Sequence, residues 1–149
     1  MGQLILGVDP GTAQSGYVWL VQGNKVHDCG VLPNATMLRV IAESGPDVLA
    51  IEMVASYGMA VGREVFETVR WIGRFQQAYR DPESVRLVYR KDVKLHLCNS
   101  PRANDSNIRQ ALIDKLGPIG TKNSPGPLYG VSGHAWSALA VAVTVADGA

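Results

Sequence analysis

The chain has 149 residues, 46% of them hydrophobic and 18% charged, with a net charge of +1. This length fits one domain, 1–149, with its own core, and the composition excludes disordered, fibrous and low-complexity classes. The longest apolar run, residues 138–146, is too short to span a membrane, no basic-then-apolar leader follows Met1, and Cys29 and Cys98 lack metal-ligand spacing, so reduced thiols and a cytoplasmic location are expected.

An apolar run over residues 3–9 reads as a buried strand that ends in Asp9 and a Pro10-Gly11 turn. Residues 16–21 form a second strand, Gly23-Asn24 signals a turn, and residues 25–32 form a third, giving an antiparallel meander. Asn34 is placed to cap a helix carrying Met37, Leu38, Val40 and Ile41, which Gly45-Pro46-Asp47 breaks. Val48-Leu49-Ala50-Ile51 has the continuous apolar pattern of a central strand covered on both faces, and Glu52 interrupts it.

Residues 55–62 form a glycine-punctuated loop carrying Tyr57 and Met59. A helix is predicted over residues 63–79, with Val65, Val69, Ile72 and Phe75 in the core and Phe66 and Trp71 as a surplus stripe for a symmetric partner. Residues 85–89 make a fifth strand and 91–98 a short helix. Asn104 or Asp105 can cap a further helix to about residue 116. Residues 117–130, with three prolines, form a long loop, and 133–146 an alanine-rich helix buried on most faces. Trp19 and Trp136 read as core, and His96 as structural. A meander followed by crossovers implies a mixed five-stranded sheet flanked by helices, with the first strand beside the fourth.

Charge is unevenly spread. Residues 86–122 hold eight basic and three acidic side chains, a net of +5, which leaves −4 for the rest. Such a cluster suits either a solvated helical face or a seat for a polyanion beside an acid-bearing site. Lys91, Lys94, Arg102 and Arg109 are the candidate phosphate contacts for such a polyanion.

Asp9 and Glu52 lie at or near the ends of strands that this topology makes neighbours. Each has an ordinary alternative, an Asx turn for Asp9 and a solvated position for Glu52. Together they are harder to explain, because two carboxylates converging in apolar surroundings repel unless a cation lies between them. Carboxylate ligands favour Mg²⁺ or Mn²⁺, and one or two such ions can activate phosphodiester hydrolysis. His134 and Ser137, three residues apart at the start of the last helix, share a face there. With no acid in that helix before Asp147, His134 is the candidate third ligand or proton-transfer group, with Asp105 and Ser137 in reserve. For Asp105 the competing reading is a helix cap.

Asp9-Pro10-Gly11-Thr12, a glutamate closing the fourth strand and a Trp136-Ser137-Ala138-Leu139-Ala140 helix together resemble the ribonuclease H-like superfamily. Within it the chain is similar to RuvC-type Holliday junction resolvases, especially the short bacteriophage forms. Segments around Glu52-Met53-Val54-Ala55, Gly62-Arg63-Glu64-Val65-Phe66, Val93-Lys94-Leu95-His96, Asn107-Ile108-Arg109-Gln110 and Pro125-Gly126-Pro127-Leu128 extend the likeness along nearly the whole chain. The resemblance implies Mg²⁺-dependent endonucleolytic cutting of four-way DNA junctions by a homodimer, in recombination and repair. It implies acid ligands at Asp9 and Glu52, and a loop around Tyr57 that probes the junction centre. It also implies two acids on the last helix, where this chain has His134 and Ser137. A junction-binding protein that does not cleave, and a nuclease acting on RNA or hybrid duplex, remain the alternatives. An actin-like or sugar-kinase-like phosphotransferase shares the opening motif but needs a second phosphate-binding half, which 149 residues do not provide.

Overall fold

The computed structural model describes residues 3–21 and 24–148. The Gly23 half of the predicted Gly23-Asn24 turn lies outside these residues. Strands β1 (Leu4–Asp9), β2 (Gln14–Val21) and β3 (Lys25–Pro33) form the meander, followed by α1 (Asn34–Ser44), β4 (Val48–Met53) and α2 (Arg63–Ala78). A single 3₁₀ turn, Pro82–Ser84, leads to β5 (Arg86–Tyr89), α3 (Arg90–Cys98), α4 (Asp105–Leu116) and α5 (Ala135–Ala146). The sheet order is β3-β2-β1-β4-β5, antiparallel across the meander and parallel from β1 to β5. This is the mixed five-stranded sheet of the ribonuclease H-like class. No helix among the described residues is long and apolar enough to cross a membrane.

Strand alternation sorts the core into two layers. Ile5 on β1 and Ala50 on β4 face a cluster built mainly by α5 with Val93, Ile108 and Leu112. Leu6, Val8, Leu49 and Ile51 face the opposite cluster, with Met37 and Ile41 from α1 and Ile72 and Phe75 from α2. Helix α5 is buried almost all round, as its composition requires. It can lie flush on the sheet because Gly7 and Gly16 have no side chain. A Cβ at Gly7 would stand 2.4 Å from the Ala138 carbonyl oxygen, and one at Gly16 would stand 2.7 Å from the His134 carbonyl oxygen. The other end of α5 is tied down by Asp147, which accepts from His96 (2.7 Å) and Lys115 (3.0 Å). Burial alone would raise the Asp147 carboxyl, but these two hydrogen bonds hold it below its usual value. His96 has the structural role expected of it.

Several expectations are corrected. Asn34 does not cap α1: its side chain makes no cap hydrogen bond and is buried in the turn that follows β1. A buried amide must satisfy both its donor and its acceptor, and the Gly11 carbonyl and the Ser15 hydroxyl do so there. Val69 is exposed rather than core, because Thr68, Ile72 and Phe75 form the inward face of α2. Trp71 packs against the core edge, so the surplus apolar stripe on α2 is Phe66, 58% exposed, with Val69, 37% exposed. Trp19 is half-buried and Trp136 buried. The last helix begins at Ala135 rather than residue 133, since Gly133 takes a left-handed φ of 53°. The 117–130 loop folds on itself through a Gly120–Pro125 bridge.

Candidate active site

The parallel register sets Gly7 beside Ala50 and Val8 beside Ile51, so the next pair along is Asp9 and Glu52. Alternation from Ile5 and Gly7 turns Asp9 to the α5 side of the sheet, and alternation from Ala50 turns Glu52 to the same side. The two acids are therefore neighbours by register and by parity. Their side chains keep only 12% and 16% of their exposure. Burial first, and then the Asp9 carboxylate close enough to share its proton, push the Glu52 carboxyl up to about 7. Arg90 opposes this shift without cancelling it.

His134 comes to Asp9 by an equally local route. Asp9 pairs with Gly16 across β1 and β2, and Gly16 is the point where the His134 backbone touches the sheet. The imidazole Nδ1 lies 2.9 Å from Asp9 Oδ2 and donates to it in the tautomer that suits a carboxylate. Nε2 has no partner among the described residues. This is the orienting arrangement that leaves the second ring nitrogen able to take a proton.

The turn after Asp9 is braced from beneath. The Asn34 amide donates to the Gly11 carbonyl (2.9 Å), and its oxygen accepts from the Ser15 hydroxyl (2.6 Å). Ser15 Oγ accepts from the Gly11 N–H at 3.3 Å, and the Ala13 carbonyl accepts from the Asn34 N–H at 2.9 Å. Ser15 and Asn34 are both almost fully buried. Neither was identified from sequence as part of the site. A polar pair nineteen residues apart gives no one-dimensional sign of meeting.

In sequence Arg90 is only one cation of the basic segment, with nothing to mark it as part of the site. Its Nη1 is 3.3 Å from Glu52 Oε1, and its Nη2 pairs with Asp105 Oδ1. Asp105 is free to do this because Asn104 is the cap of α4, in a reciprocal capping box with Asn107. Asp9, Glu52, Arg90, Asp105, His134 and Ser137, with residues 10–14, line one open cleft of about 640 Å³. Within it the acids meet basic partners in pairs, and among the described residues no three His, Cys, Asp or Glu side chains are arranged as a ready metal cage.

The predicted phosphate contacts divide. Lys91, Lys94 and Tyr57 line an adjoining cleft with Arg90 and Pro101. Arg109 stacks on Trp136 with its guanidinium 5.2 Å from the ring centroid, beside Asp105 and Ser137. Arg102 lines a separate groove with Cys98, Ser100 and Asn107, away from the acids. Tyr57 is 66% exposed in a left-handed conformation, φ 51°.

No family model and no curated protein matches the chain. Solved structures do. The structure of RuvC from Thermus thermophilus superposes with a TM-score of 0.70 at 18% identity, over 95% of this chain and 92% of that one. The fold is that of RuvC. The same protein from T. thermophilus in complex with a Holliday junction substrate superposes with a TM-score of 0.68 at 19% identity, over the same shares of each chain. The match covers nearly the whole chain, at an identity that speaks for fold alone.

Proposed function

We propose that this chain is a metal-dependent endonuclease of four-way DNA junctions, serving recombination and repair as a homodimer. The observation that carries the reading is the pair Asp9 and Glu52, side by side and partly buried at the floor of an open cleft, with Glu52 pushed up to about 7. Two such carboxylates carry an excess of negative charge that a cation relieves, and their oxygens suit Mg²⁺, with Mn²⁺ as a substitute. The donor set therefore fits a divalent ion held by Asp9 and Glu52, with His134, Asp105 or Ser137 completing the ligands. When bound, such an ion supplies charge stabilisation to a phosphodiester and acidifies water.

The remaining roles belong to the chain. The Ser15–Asn34 brace holds the turn that carries Asp9. His134 orients Asp9 through Nδ1 and offers Nε2 as a proton acceptor. Arg90, Lys91, Lys94 and Arg109 surround the acids with the positive charge that a phosphate backbone needs. Tyr57, standing out of the loop between β4 and α2, offers a ring on which a base can stack. The solved RuvC bound to a Holliday junction motivates the choice of branched DNA as substrate. Phe66 and Val69 give a second copy an apolar face on α2, and a two-fold pair would bring two clefts to one junction.

The test is cleavage of a synthetic four-way junction in Mg²⁺ and in Mn²⁺. Nicks at opposed strands are expected, with Asp9→Asn slower by about 100-fold or more. Folded protein that cuts nothing in either metal would falsify the reading. Binding without turnover would favour a junction-binding protein that does not cleave. Ser137 at the place of an expected acid, and His134 already engaged by Asp9, are the observations on that side. Preference for RNA or hybrid duplex would point to the ribonuclease alternative.

A further inference from the structure

We infer that Arg90 is the resident counter-cation of this cleft and must release its two carboxylates before a divalent ion can take them. The inference rests on the nuclease reading above. Arg90 opens α3 directly after β5, where Val88 stands in register with Glu52. This places its guanidinium against Glu52 on one side and Asp105 on the other. A guanidinium never loses its charge at physiological pH, and its planar fork suits two carboxylates at once. Of the acids lining the cleft, Glu52 and Asp105 are held by Arg90, and Asp9 is held by His134. Each acid thus has a protein partner, and no three-ligand group stands open among the described residues.

The same arginine also lines the adjoining basic cleft with Lys91 and Lys94. A phosphate arriving there finds a guanidinium within reach, and arginine binds phosphate bidentately as readily as carboxylate. Transfer of Arg90 to that phosphate moves one positive charge away from Glu52 and Asp105. The two acids are then unpaired beside Asp9, which is the electrostatic condition for drawing in a divalent ion. DNA and cation thus assist one another's binding, and by linkage the assistance is equal in both directions. Free protein holds the ion weakly, so the reactive site is completed only on substrate.

The test is Mn²⁺ titration of DNA-free protein, followed by the spin-resonance signal of the unbound ion. Arg90→Met is expected to bind Mn²⁺ about tenfold more tightly than wild type. Arg90→Lys, which keeps the charge but not the fork, should fall between them and guards against a folding failure of the first variant. In a second measurement with chelator present, Arg90→Met should bind a four-way junction more weakly, with the slope of log affinity against log salt reduced by about one. Equal Mn²⁺ affinity in folded wild type and both variants overturns the role of Arg90 and leaves the nuclease reading to its own cleavage assay. Absence of Mn²⁺ binding in all three, together with no junction cleavage by wild type, overturns both.

Discussion

Glu52 is the residue whose chemistry is most altered by its surroundings. Burial and the neighbouring Asp9 carboxylate raise its carboxyl from 4.5 to about 7, so the folded chain favours the protonated form. The sign follows from linkage. The stabilising contribution is fully present below the ordinary value and is lost as pH rises through about 7. In the presence of chelator, this group alone should cost on the order of 2–3 kcal/mol of stability between pH 5 and pH 8. Glu52→Gln should abolish that slope and be the more stable protein at pH 8, while losing cleavage, as urea unfolding at a series of pH values can measure. A variant that keeps the wild-type slope would show that Glu52 is not the titrating group. Asp9, Glu52 and His134 were legible as candidates because acids at strand ends and a polar residue opening an apolar helix are anomalies in one dimension. Arg90 and Asn34 were not, because an arginine in a basic stretch and an asparagine after a proline both have ordinary explanations.

At the scale of elements, the site depends on how closely α5 approaches the sheet. The approach is set by Gly7 and Gly16, and Gly16 touches the residue that bonds Asp9. Gly16→Ala should push His134 off the sheet, because a Cβ there would meet the His134 carbonyl oxygen at 2.7 Å and backbone cannot swing aside. The expected cost is about 1–3 kcal/mol in denaturant unfolding. Junction cleavage should fall as well, by a factor larger than the loss of folded protein explains. Full activity in the alanine variant would show that the position of His134 does not matter. The order and type of the elements were readable because each has a clear period and a clear stop, as in Gly45 after α1 and Asn104 before α4. Errors fell where a side chain serves tertiary structure over local structure. Sequence position makes Asn34 a cap and Val69 a core residue, whereas packing makes Asn34 a brace and leaves Val69 at the surface.

At the scale of the molecule, a net charge of +1 conceals a basic rim around an acidic floor. Lys91 and Lys94 stand with Arg90 in the cleft next to the acids, whereas Arg102 does not. Lys91→Ala with Lys94→Ala should therefore weaken junction binding, with the slope of log affinity against log salt falling by about two. Arg102→Ala should leave the slope nearly unchanged. Fluorescence anisotropy at several salt concentrations separates these outcomes, and a similar loss in both proteins would place DNA over a wider surface than the two clefts. The charge asymmetry was visible in sequence, but the division of its members was not. Lys91 and Lys94 share one cleft while Arg109 and Arg102 go to two others, because a turn of helix and a loop lie between them.

The sequence alone determined a mixed five-stranded sheet with its first strand beside its fourth, and it marked Asp9 and Glu52 as candidates, because strand periodicity, crossover handedness and the cost of burying a carboxylate can all be argued from the order of residues. Only the tertiary structure decided which partners those acids have. His134 reaches Asp9 because two glycines let a helix lie flat on the sheet, and Arg90 joins Glu52 to Asp105 because β5 pairs in register with β4. Such meetings depend on register and on distance of approach, which are properties of packed elements and leave no periodic trace in the chain.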